Sequence, residues 1–203
     1  MDEQRAPLGR LAVGSLALIS HLPLRWFISE EVTITVTLRP VTQENWRAVA
    51  RLEVAEDQRQ FMAPNIYSLA EAAYEPGLTP VAIYADETLV GFALYTHEPF
   101  QGDWTFTKAP YRGELGIMRM MVEAHSQQQG YGCQAMQALI ERMRRLPGGT
   151  AIILNFLPAN VAARRFYERL GFAVYEESED DCWARLEVPA PSSTSAPTGT
   201  DWT

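Results

Sequence analysis

Apolar and polar positions change period several times along the chain, and each change marks an element. β-Branched residues alternate through "VTITVTLRP" from residue 32 to residue 38 and stop at Pro40, which predicts a first strand. In "TQENWRAVARLEV", Trp46, Val49, Leu52 and Val54 fall near helical spacing behind Thr42 as a cap. "SLAEAAYEP" sets Glu71 three residues after Ser68, the spacing of a capping box, and Pro76 with Gly77 closes the short helix that starts there. "PVAIYADETLVGFALY" predicts two strands joined by a tight turn at Asp86 and Glu87, hence an antiparallel pairing.

A looser stretch over residues 98 to 113 leads into "ELGIMRMMV", an apolar strand interrupted by Arg119, which must reach a carboxylate or solvent. Met136, Leu139, Ile140 and Met143 then form the stripe of an amphipathic helix that ends before "PGG". "TAIILNF" is a strand whose near-continuous apolar run predicts burial on both faces. Ala163, Phe166, Tyr167 and Leu170 mark another helix, stopped by Gly171, and "FAVYEE" with "CWARLEV" closes the pattern as a hairpin. The predicted order is β, α, α, β, β, β, α, β, α, β, β, without a visible repeat.

At 203 residues and 47% hydrophobic, the chain builds one core. Residues 32 to 188 carry the periodic patterns. Residues 1 to 31, with the uncharged run "LAVGSLALIS", are predicted to be a flexible leader; ten residues do not span a bilayer core that needs about 20 in helix. Residues 189 to 203, rich in Pro, Ser, Thr and Ala, are predicted to be a disordered tail. Seventeen Lys and Arg against 25 Asp and Glu give a net charge of -8, which argues against nucleic acid as a partner and suits a cationic small molecule. Cys133 and Cys182 form no CxxC pair and His21, His97 and His125 are scattered, so no metal site is predicted and a reducing cytoplasm is the expected setting.

"QQQGYGCQAM" places Gly130 and Gly132 between a strand ending at Val122 and a helix starting near Tyr131. Unpaired N–H groups at a helix N-terminus attract anions, and glycine removes side chains that hold a phosphate away from them. Such a pair also serves simply as a helix cap. No Lys-Ser or Lys-Thr follows, and the GxGxxG spacing is absent, so Walker-type and dinucleotide sites are excluded. In "LNFLPANVAARRFYERLGF", Asn160 opens a helix and Tyr167 lies two turns on along the same face.

Gln127-x-x-Gly130-x-Gly132, followed by Asn160, Phe166-Tyr167 and Leu170-Gly171-Phe172, resembles the GNAT superfamily of acyl-coenzyme A N-acyltransferases over roughly residues 33 to 187. "SLAEAAYEP", "AIYADETLVGFALY" and "QGYG" are most similar to bacterial spermine and spermidine acetyltransferases. The resemblance implies an α/β (α+β) fold with a mixed, mostly antiparallel central sheet of about seven strands flanked by helices. It implies acetyl-CoA as co-substrate. Backbone N–H groups of residues 127 to 133 would cradle the pyrophosphate, chiefly at Gln127, Gln128, Gly130, Tyr131, Gly132 and Cys133. Relatives place a glycine where this chain has Gln128. Met120 and Val122 would pair their backbones with the pantetheine arm, which needs the fourth and fifth strands to splay. Asn160 would meet a pantetheine amide or cap its helix. Tyr167 would protonate the departing thiolate as general acid, or be an ordinary core residue.

The general base is not identified by the sequence; Glu123 and His125 are candidates that also fit solvated loop positions. Glu53, Glu56 and Asp57 fall on one face at the end of the first predicted helix and would receive ammonium groups, or form a solvated acidic face. "EESEDD" is predicted to be an exposed turn. The leading expectation is an acetyl-CoA-dependent N-acetyltransferase for a polyamine, by direct transfer in a ternary complex. The alternatives are another amine acceptor, an antibiotic or a protein N-terminus, and a non-catalytic acyl-CoA-binding sensor. Members of the superfamily often form homodimers.

Overall fold

The computed structural model describes residues 34–99 and 113–188. The predicted leader and tail lie outside the described residues, as does most of the looser stretch. Strand β1 (Val36–Pro40) is followed by α1 (Trp46–Ala50), α2 (Asn65–Tyr74), β2 (Leu78–Ala85), β3 (Thr88–Thr96) and β4 (Glu114–Val122). After these come α3 (Tyr131–Arg144), β5 (Ala151–Phe156), α4 (Val161–Arg169), β6 (Ala173–Glu177) and β7 (Cys182–Glu187). The strands form one seven-stranded sheet in the order β1-β2-β3-β4-β5-β7-β6. Every neighbouring pair is antiparallel except β4 with β5.

Three local expectations are corrected. The first strand begins at Val36 rather than residue 32, because the backbone of Thr35 bonds to Asp86 of the β2–β3 turn instead of to a strand. The first helix stops at Ala50: the amides of Arg51 and Leu52 turn back to Ala48 and Val49, and Ala55 is extended. Its start differs as well: Asn45 holds the N-cap position, and Thr42 Oγ1 accepts instead from the Glu44 amide in the turn before the helix. Ser68 and Glu71 form no capping box, since α2 starts a turn earlier behind Pro64, whose carbonyl accepts from Tyr67 and Ser68. Asn65 fixes that start by donating from Nδ2 to the Val49 carbonyl at 2.9 Å.

Alternate sheet residues separate two apolar layers. Val81, Ile83, Ala93, Tyr95, Leu115 and Ile117 pack under α3, whose Tyr131, Ala135, Met136, Leu139, Ile140 and Met143 are all buried. Ala82, Phe92, Leu94 and Met121 pack on the other side with Val49 of α1 and the partly buried Leu69 and Ala72 of α2. One irregularity in β4 decides which side chains reach which layer. Leu94 pairs with Arg119 but Tyr95 pairs with Ile117, so Met118 is an extra residue, a β-bulge. Upstream of it Leu115 and Ile117 face α3; downstream Met120 takes that face, while Arg119, opposite Leu94, turns toward α2.

Candidate active site

Strands β4 and β5 pair only at Glu114–Ala151, Leu115–Ile152 and Gly116–Ile153. Beyond this point each is held by its outer neighbour alone, β4 by β3 as far as Val122 and β5 by β7 as far as Phe156, which leaves a fork between them. On the β3 side contact is close: a Cβ on Gly91 would stand 2.4 Å from the Met121 carbonyl oxygen. The amide of Glu123 donates to Val90, so by the alternation of an antiparallel ladder the backbone groups of Met120 and Val122 face away from β3, into the fork. The carbonyl of Val122 confirms this direction by accepting from Gln127 Nε2 at 3.0 Å.

The glycine loop lies at the end of β4. Gly130 occupies the N-cap of α3 at φ +82, a left-handed conformation that favours glycine, and no side chain caps the helix. A Cβ on Gly130 would meet nothing within 4 Å, and one on Gly132 would meet only Val122 Cγ2 at 3.5 Å, so these glycines keep space open rather than relieve a clash. The amides of Gln127 and Cys133 are engaged within the loop, by Ala124 and Gly130. Those from residue 128 to residue 132 have no backbone acceptor among the described residues, which leaves a short run of donors at a helix N-terminus. This arrangement fits a pyrophosphate. The side chain of Gln127 has a different task, an amide pair with Gln58 at 2.9 and 3.2 Å. Gln128 adopts φ +62, in the left-handed region that favours glycine. The Tyr131 ring belongs to the core and Cys133 is exposed.

Helix α4 borders the fork on the other side. Asn160 is its N-cap, with Oδ1 accepting from the Ala163 amide at 3.0 Å, and it also lines the open space of the fork. Tyr167 packs against the rings of Phe156, Phe166 and Phe172 at centroid distances of 5.6, 5.4 and 6.0 Å. Burial pushes its phenol up to about 12, so it carries its proton throughout the neutral range.

Two cavities occupy the fork. One, of about 450 Å³, runs from Gln127 and Gly132 past Met120 and Val122 to Tyr167. The other, of about 490 Å³, runs from Tyr167 past Met118 and Arg119 to Asn155 and Asp181. Phe61, Met62, Met120, Asn160, Ala163 and Tyr167 line both, so the two spaces meet at Met120 and Tyr167.

The predicted acidic face is not formed. Glu53 precedes a 3-10 turn (Glu56–Phe61) that replaces the end of the expected helix, and Arg59 pairs with Glu53 at 2.6 Å and Glu56 at 3.1 Å. Of the three, Asp57 lines the first cavity of the fork, whereas Glu53 lines a separate space beside Leu52 and Asn65. Glu123 accepts from the His125 amide at 2.9 Å and caps a single turn (Ala124–Ser126), and neither Glu123 nor His125 lines the fork. Arg119 finds its carboxylate in Glu71 of α2, Nη2 to Oε2 3.7 Å, and also donates to the Met118 carbonyl at 2.7 Å. Sequence reasoning missed Phe61 and Met62, an apolar pair inside a polar stretch, and Asp181. The "EESEDD" run is not one turn: Glu176 and Glu177 belong to β6, and Asp181 is half-buried beside the end of β5. Among the described residues no group of three or more His, Cys, Asp or Glu side chains is placed to hold a metal, and no helix is long and apolar enough to cross a membrane.

The family model described as "Acetyltransferase (GNAT) family" matches residues 39–172. A "Probable spermine N(1)-acetyltransferase" of Bacillus subtilis subsp. natto is 27% identical over 139 residues, 68% of this chain and 88% of that protein. The "Spermine/spermidine N(1)-acetyltransferase" of Bacillus subtilis strain 168 gives the same identity and coverage. Among solved structures, AAC(6')-Ib in complex with ribostamycin and coenzyme A superposes with a TM-score of 0.60 at 21% identity, covering 76% of this chain and 94% of that one.

Proposed function

Because the chain belongs to the acetyltransferase (GNAT) family and is an acetyl-CoA-dependent N-acetyltransferase, we propose that its acceptor is an alkyl polyamine of the spermidine or spermine class, acetylated by direct transfer in a ternary complex. The observation that carries this reading is the meeting of two cavities at Met120 and Tyr167, one bounded by the glycine loop and the other by Asp181. Two spaces that share a boundary let donor and acceptor be present together, without a covalent relay on the protein. The names of the curated relatives support the polyamine class.

The amides of residues 128 to 132 and the N-terminus of α3 hold the pyrophosphate. The fork-facing backbone groups of Met120 and Val122 hold the amide-bearing arm, with Asn160 beside it. Acetyl-CoA supplies the acetyl group as a thioester. Tyr167 donates its phenolic proton to the sulfur as the carbon–sulfur bond breaks and the amine nitrogen bonds to the acetyl carbon; the proton that the nitrogen gives up leaves to water, from which the phenolate is reprotonated. The free thiols Cys133 and Cys182 support a cytoplasmic setting.

Thiol release from acetyl-CoA tests this reading against spermine, spermidine, putrescine, lysine, an aminoglycoside and a short peptide. Turnover is expected to be fastest on the polyamines. Preference for the aminoglycoside or the peptide would replace the acceptor class, and acetyl-CoA binding without turnover on any amine would replace catalysis with sensing.

A further inference from the structure

The cavity beyond Tyr167 contains two kinds of charge. Arg119 is answered by Glu71, whose side chain is 5% exposed, so that pair is internally balanced. Asp181 is not balanced. Its Oδ1 accepts from Asn155 Nδ2 at 2.9 Å, and among the described residues no cation lies within ion-pair distance of it. A neutral amide orients a carboxylate without cancelling its charge.

The backbone holds Asp181 where it is. The Ser178 amide donates to the Asp181 carbonyl at 2.8 Å, the Asp181 amide donates to Ser178 Oγ at 3.1 Å, and the next residue, Cys182, pairs with Phe156 at the end of β5. Ile117, Met118, Met120, Phe156 and Leu157 supply apolar wall to the same cavity. Apolar wall suits methylenes, and an unbalanced carboxylate suits a cation.

We propose that Asp181, oriented by Asn155, is the anchor for a second ammonium group of the acceptor, so that the site takes a diamine or longer polyamine and discriminates against a monoamine. The inference rests on the reading of the acceptor as an alkylamine, and it names the residue that sets the choice within that class. It also explains why Glu53 and Glu56 need not serve: Arg59 already neutralises them.

The test is the ratio of kcat/KM for putrescine to that for butylamine, a diamine and a monoamine with the same number of carbons, in the wild type and in Asp181→Asn. The ratio is expected to fall about 10- to 100-fold in Asp181→Asn, the size of one hydrogen bond to a charged group. Asp181→Glu is expected to restore part of it, and Asp180→Asn, at an exposed neighbour, to leave it unchanged. An unaltered KM for acetyl-CoA in Asp181→Asn shows that the fold and the donor cavity are intact. If putrescine turns over and the ratio does not move in Asp181→Asn, the anchor is wrong while the alkylamine reading stands. Wild-type turnover on no alkylamine at all overturns both.

Discussion

Helices α3 and α4 both begin at the fork, yet they are built differently. Helix α3 buries six side chains and starts at a glycine with no side-chain cap. Helix α4 has no fully buried residue, starts at an asparagine that caps it, and turns a half-buried aromatic face to the cavities. The first is fixed by its core, which leaves its N-terminal donors available to a ligand. The second satisfies its own N-terminus and presents side chains instead. The contrast teaches that a helix N-terminus is available for an anion when the anchoring of the helix is done elsewhere.

Removing the anchor of α3 has the largest expected effect. Leu139→Ala opens a cavity in a fully buried site and should cost about 2 to 5 kcal/mol in urea unfolding, with activity per folded molecule retained. Tyr167→Phe tests the opposite property of α4. It should lower kcat about 100-fold, with a smaller change in stability than Leu139→Ala. The pH profile sharpens the assignment. The protonated phenol is the active form and is held up to about 12, so the fall in kcat should come well above the ordinary phenol range. The folded state keeps this proton more tightly than the unfolded chain does. The associated stability is therefore whole below about pH 10 and declines as pH rises from there toward the folded value.

Asn160→Ala removes the cap that α3 does without. It should cost about 0.5 to 2 kcal/mol by thermal unfolding and raise the KM for acetyl-CoA, and an unchanged KM would confine Asn160 to capping. The smallest effect has the opposite sign. Gln128→Gly relieves a left-handed residue and should stabilise the protein by about 1 kcal/mol, whereas Gln128→Val should destabilise it.

Legibility from residue order alone divides along the same line. The α3 stripe is a local repeat, visible as Met136, Leu139, Ile140 and Met143, and the burial of "AIILNF" is visible in its apolar run. The loop is legible because Gly130 and Gly132 sit between a strand and a helix. Non-local partners are not legible. Glu53 and Glu56 look like an acidic face because nothing in their spacing reveals that a 3-10 turn carries Arg59 back to them. Asp181 is hidden in a run of acids, since its place depends on the pairing of Cys182 with Phe156. Arg119 looks misplaced in an apolar strand because its direction depends on register against β3.

That register makes β4 sensitive to length more than to composition. Met118 is the one residue by which the strand exceeds its partner, and it reverses the parity of everything after it. Losing a single residue after the bulge, such as Met120, would turn Met121 toward the α3 layer and Val122 toward α2 without altering any other amino acid. Libraries made to change acceptor choice can therefore vary side chains along this strand, but insertions and deletions belong outside it.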